Sequence, residues 1–177
     1  DIMKKILFVL LLMFSSGIMA QSIKSIENDP FEGTKVITTD KERLSKESFK
    51  DVRGQSMFYL QNSGKVVLLH LLWQCRDIII VSKGQKAIFL ADDDSKVTLE
   101  AMADVKPIAG IASTAAVKPA GLLGLDIPYS GMDIFQLVGK KIKAIRIYTS
   151  DGYQDFSVDK KKQSMISDCF KLLVEEM

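Results

Sequence analysis

The sequence predicts an α+β fold: a mostly antiparallel β-sheet with a short helix near residues 130–138 and a second helix at the C-terminus. Three observations carry this reading. From residue 49 to residue 98, apolar runs of strand length alternate with polar or glycine-containing breaks, the rhythm of hairpin-connected strands. Residues 141–158 hold two alternating segments around Asp151-Gly152, a pair suited to a two-residue hairpin because both positions need positive φ. Ile166, Cys169, Phe170 and Leu173 recur at helical spacing and put one apolar stripe on the last segment.

Residues 1–20 stand apart from that domain. Met3 reads as the initiator, with Asp1 and Ile2 before it. Lys4 and Lys5 form a positive start, residues 6–14 (ILFVLLLMF) a continuous apolar run, and Ala20 a small residue suited to cleavage before Gln21. This is the pattern of a secretory signal peptide. A membrane anchor is the alternative, but spanning hydrocarbon takes about 20 predominantly apolar residues, more than this run supplies. No cysteine follows the run to take an acyl chain, the first being Cys75. The expectation is an exported protein, periplasmic or secreted, without stable membrane insertion.

Residues 21–33, broken by Pro30 and Gly33, read as a flexible lead-in, and residues 34–177 as a single α+β domain. Residues 36–39 are a β-branched strand candidate, and residues 40–47 one or two helical turns capped by Asp40. Strands follow at 57–60, 66–73, 78–81, 87–90 and 97–102, with turns at Ser63-Gly64, Lys83-Gly84 and the acidic tip Asp92-Asp93-Asp94-Ser95. Residues 106–125, with two prolines, three glycines and several alanines, read as a long loop with a short strand near 111–117. Such loops are either functional or plain connectors. Ser130-Gly131-Met132-Asp133 fits a capping box opening the helix near 130–138, which Gly139 would stop. In the hairpin, Ile147 is expected opposite Phe156 and Ile145 opposite Val158, with Arg146, Tyr148, Asp155 and Ser157 on the other face. Asp159 would cap the last helix.

The charge balance excludes whole classes of partner. The chain has 24 basic and 22 acidic residues. Without residues 1–20 the counts are 22 and 21, since that segment holds Lys4, Lys5 and Asp1. No basic run exceeds the three lysines at 160–162, so neither a nucleic-acid footprint nor a polybasic membrane patch is visible. Cys75 and Cys169 would meet an oxidising compartment after export, either joined in a disulfide or buried as separate thiols.

Catalytic and metal signatures are missing. His70 is the only histidine, too few nitrogen ligands for a zinc site of the usual kind. On a strand, His70 and Cys75 fall on opposite faces, so they make no nucleophile–base pair. Asp92–Ser95 opens like a calcium loop, but Val97 and Ala103 occupy the places where glycine and glutamate are needed. No phosphate-binding glycine loop or nucleophile elbow is present, and no cofactor is expected.

The stretches DPFEGTKVITT (29–39) and KIKAIRIYTSDGYQDFSV (141–158) resemble small uncharacterised exported proteins of Bacteroidetes-type bacteria. The resemblance covers the two ends of the domain. It implies a Gram-negative envelope or secreted setting and an antiparallel sheet with a few helices, and it brings no functional residues. The resulting expectation is a non-enzymatic protein that binds a protein or glycan in the cell envelope. Arg146, Tyr148, Tyr153 and Asp155 are its candidate interaction surface, since tyrosine and arginine anchor interfaces. The rival expectation is a small exported hydrolase using acidic residues.

Overall fold

The computed structural model describes residues 21–45, 56–75, 78–109 and 123–177. Residues 1–20, 46–47 and 110–122, which carry the expected signal peptide, the end of the first helical segment and the expected strand near 111–117, lie outside the described residues. The described strands form one antiparallel sheet. Its strands are β1 (Ile23–Asn28), β2 (Lys35–Thr39), β3 (Glu42–Arg43), β4 (Ser56–Asn62), β5 (Val67–Cys75), β6 (Lys86–Ala91), β7 (Lys96–Ala101), β8 (Ile108–Ala109), β9 (Leu123–Ser130), β10 (Ile142–Thr149) and β11 (Gly152–Ser157). They lie in the order β1-β2-β4-β5-β9-β7-β6-β10-β11, with β3 beside β4 and β8 beside β9. Among the described residues one α-helix, α1 (Met165–Glu175), follows at the C-terminus.

The sheet is curled around its core. Trp73 on β5 and Phe156 on β11 lie far apart in the strand order. A flat sheet would separate their strands by roughly 24 Å, at about 4.8 Å per step. Their rings instead meet edge-on with centroids 5.2 Å apart. Alternation explains how each strand feeds this core: Leu69, Leu71 and Trp73 from β5, Leu125, Ile127 and Tyr129 from β9, and Ile145 and Ile147 from β10 all point inward and are buried. The stripe on α1 closes the core as expected, with Ile166, Cys169, Phe170 and Leu173 buried, and α1 packs against β2 and β4.

Both cysteines are buried thiols. Burial, with Glu42 and Asp168 adding, pushes the Cys169 thiol up to about 12. A thiol reagent at mildly alkaline pH is therefore expected to label neither cysteine in the folded protein and both in denaturant. Prompt labelling of the native sample would show that the core opens.

Several expectations are corrected. The segment 130–138 does not form the expected helix: it makes a single 3-10 turn, Ile134–Leu137, with no side-chain cap bond. Ser130 belongs to β9 instead, and its Oγ donates to the Val67 carbonyl at 2.9 Å, so it cannot serve a capping box. The lead-in at 21–33 contains β1, paired along β2 from Ile23↔Thr39 to Asn28↔Lys35. Residues 40–45 pair with β4 through β3 rather than coil, because Leu44 is drawn fully into the core. Residues 78–81 form only the bridge Val81↔Val105; β6 already has β7 and β10 on its two sides, so no edge is left there.

Strand β9 went unforeseen because its start, with Gly124, was read as the end of the long loop 106–125 and Ser130 as a helix cap; Pro128 at its centre is also unusual in a paired strand. Pro128 is tolerated where pairing is interrupted: β8 covers the Leu123 end of β9 and β7 the Ser130 end. In the gap between them the Pro128 carbonyl accepts from Met102 N–H at 2.8 Å, and no N–H is needed.

The hairpin is present in another register. Ile145 pairs with Phe156, Ile147 with Gln154 and Thr149 with Gly152, so Ser150-Asp151 is the two-residue loop. Moving the register by two residues preserves the faces, which is why Ile145, Ile147, Phe156 and Val158 are still buried. Asp159 precedes the 3-10 turn Lys160–Lys162, and α1 begins only after Ser164, so Asp159 does not cap it.

Candidate functional site

The outer face of β7, β6, β10 and β11 is a small grid set by strand register. One row runs Lys96, Leu90, Ala144, Ser157 and the next Thr98, Ile88, Arg146, Asp155, with Tyr148 beside Tyr153 beyond them. The four expected residues, Arg146, Tyr148, Tyr153 and Asp155, do come together here. Arg146 donates from Nε and a terminal nitrogen to the two oxygens of Asp155, each at 2.7 Å. Its guanidinium carbon lies 4.0 Å from the Tyr153 ring centre, and the rings of Tyr148 and Tyr153 are 6.2 Å apart. The Asp155 hydrogen bonds raise the Arg146 pKa, and Arg146 holds the Asp155 carboxyl below its ordinary value.

Beside this pair lies a shallow groove of about 220 Å³, walled by Ile88, Leu90 and Ala144 and bordered by Lys96, Arg146 and Asp155. Sequence reading found Arg146 and Asp155 on the border but missed Lys96 and the apolar floor, because Lys96, Ile88 and Leu90 sit on β7 and β6 and only pairing brings those strands beside β10.

A second constellation was not foreseen. Tyr59 on β4, His70 on β5 and Asp126 on β9 share the other outer face. His70 Nδ1 lies 2.7 Å from Asp126 Oδ1, and the Tyr59 hydroxyl donates to Asp126 Oδ2 at 3.0 Å while sitting 2.8 Å from His70 Nδ1. The Tyr59 and His70 rings stack, with centroids 4.3 Å apart, and Lys41 Nζ lies 5.7 Å from the Tyr59 ring centre. Burial and the neighbouring Asp126 charge both raise the Tyr59 pKa, so the phenol keeps its proton. A neutral His70 that donates Nδ1–H to Asp126 presents Nε2 as an acceptor. That atom is buried and has no hydrogen-bond partner among the described residues.

The trio ties three adjacent strands together, with Tyr59 directly opposite His70 and Asp126 one diagonal step away, opposite Leu72. The register that sets Tyr59 opposite His70 was not read from the sequence; the strands that carry them, at 57–60 and 66–73, were legible. Asp126 was not, because it lies on the unforeseen β9.

The other residues singled out fall elsewhere. Cys75 points into the core, while His70 lies on the outer face. Asp93 accepts from Ser95, which lowers its pKa to about 2, and lies 3.4 Å from Lys140. Asp94 pairs with Lys143 at 2.5 Å. Among the described residues no three of His, Cys, Asp and Glu are grouped to hold a metal ion. None of the described helices is long and apolar enough to cross a membrane. Comparison of the chain with family models, curated proteins and solved structures finds no match.

Proposed function

We propose that the chain is an exported, non-enzymatic envelope or secreted protein that binds a protein or glycan partner through the outer face of β10 and β11. The observation that carries this reading is the preformed array there: Arg146 clamped on Asp155 and stacked on Tyr153, beside the groove of Ile88, Leu90 and Ala144. Side chains already held by one another lose little freedom when a partner arrives, so more of the contact energy appears as affinity. An apolar floor with a few fixed polar groups at its border suits a ligand with both faces, such as a sugar ring or a side-chain cluster. Export rests on the pattern of residues 1–20 and on the resemblance of residues 29–39 and 141–158.

The chain from Gln21 onward contains every described strand and helix and the whole core. A thermal-shift screen of that protein against sugars, cell-wall fragments and envelope proteins identifies the ligand, since whatever binds only the folded state raises the melting temperature. Replacing Arg146 and Tyr153 with alanine is expected to weaken the binding about tenfold or more. The melting temperature of the free protein should barely change, because both side chains are substantially exposed. Unchanged affinity would remove this face. Turnover of a bound glycan in the same samples would identify the hydrolytic alternative, whose one supporting observation is Glu42, a carboxyl with pKa raised by burial.

A further inference from the structure

The 3-10 turn between β9 and β10 exposes an apolar ridge that the fold does not use. Backbone bonds of the i→i−3 type run from Ile134 to Gly131, Gln136 to Asp133, Val138 to Phe135 and Lys140 to Leu137. In that geometry side chains three apart eclipse one another. Ile134 and Leu137 take the inner side and are buried; Met132, Phe135 and Val138 take the outer side, 102%, 47% and 38% exposed. Phe135 meets the core edge-on at Phe170, with ring centres 6.0 Å apart. Single exposed apolar residues need no explanation, but three at three-residue spacing within one turn and its flanks concentrate apolar surface at this end of the molecule.

Uncompensated lysines lie beside this strip. Gly139 N–H donates to Ser167 Oγ at 2.7 Å, and Ile142 N–H donates to the Gln163 carbonyl at 2.8 Å. These bonds bring the chain leaving the ridge alongside the 3-10 turn Lys160–Lys162. Lys141, Lys160 and Lys161 are exposed, and none is in an ion pair among the described residues. Lys140 and Lys143, by contrast, are held by Asp93 and Asp94. Asp133 is the one carboxylate on the ridge turn, and it accepts from Gln136. The sequence alone hides the cluster, because Lys141 and the three lysines at 160–162 are separated by the whole β10–β11 hairpin.

We propose that this end of the molecule is a reversible contact for an anionic phospholipid surface. Met132, Phe135 and Val138 enter the boundary between headgroups and acyl chains, and Lys141, Lys160 and Lys161 meet lipid phosphates. Charge complementarity selects this occupant: exposed cations without counter-ions beside an apolar strip match a surface that is anionic outside and apolar within. The contact is interfacial and asks for no spanning segment.

The test is co-sedimentation of the chain from Gln21 onward with phosphatidylglycerol-containing vesicles and, separately, with pure phosphatidylcholine vesicles. Binding is expected to the anionic vesicles alone and is lost in high salt. Lys160→Gln with Lys161→Gln lowers the partition coefficient by about fivefold per lysine. Met132→Gln also lowers it; because this side chain is fully exposed, the melting temperature stays put and folding is not at issue. Failure of the wild-type protein to bind anionic vesicles overturns the proposal and leaves a protein as the occupant of the ridge. Equal binding to neutral vesicles, or variants that bind as wild type, overturns it as well.

Discussion

Phe170→Ala is expected to lower the unfolding free energy by about 3–5 kcal/mol, the cost of emptying a fully buried aromatic site. Phe170 has no exposed surface. It sits on the inner stripe of α1, where that helix packs against β2 and β4. Its neighbours on the stripe, Ile166 and Leu173, are equally buried and held by the same helix, so they cannot swing in to fill the space. A loss of this size is a large part of the about 5–15 kcal/mol that holds a domain folded. Urea unfolding measures it: the midpoint should fall with the slope unchanged, while Lys171→Ala on the exposed side of the same helix shifts it by less than about 0.5 kcal/mol. A Phe170→Ala loss below about 1 kcal/mol would mean that α1 does not close the core.

Asp126→Ala should be the next most damaging change, by about 1–3 kcal/mol. Each Asp126 oxygen serves one donor group, His70 Nδ1 at 2.7 Å and the Tyr59 hydroxyl at 3.0 Å. Alanine leaves the Tyr59 hydroxyl and His70 Nδ1 only each other, 2.8 Å apart, and removes the charged acceptor that both had on a half-covered sheet face. Tyr59→Phe alone should cost less, since the His70–Asp126 contact survives. Combining the two isolates their coupling, expected at about 1 kcal/mol or somewhat less given the partial exposure of Asp126. Strict additivity of the two losses in urea unfolding would show that the trio is a set of neighbours rather than a network.

The two constellations differ in how far they could be read beforehand, and the reason is sequence separation. Arg146, Tyr148, Tyr153 and Asp155 lie on one hairpin, so alternation alone places them on a common face. That placement survived even though the turn was displaced to Ser150-Asp151, because period-two patterning tolerates a register shift of two residues. Tyr59, His70 and Asp126 come from three strands, one of which is punctuated by a glycine and a proline that argue against a strand at all. The ridge lysines needed the pairing of Ile142 with Gln163 before they became a cluster. The helix expected at 130–138 failed for a related reason: Ser130 had a better partner in the Val67 carbonyl, 63 residues away, than in its own local amides.

By itself the sequence determined what local periodicity controls. That includes the mostly antiparallel sheet, the strand segments of β4 to β7, the buried face of the last hairpin and the stripe of the C-terminal helix. These follow from side-chain alternation and helical spacing, which act between residues a few places apart and pay no loop-closure entropy. Tertiary structure alone decided the strand order, the curl that brings Trp73 to Phe156, the recruitment of Leu123–Ser130 as a central strand and the meeting of Tyr59, His70 and Asp126. Those depend on contacts between distant segments, where burial of a shared core outweighs local propensity.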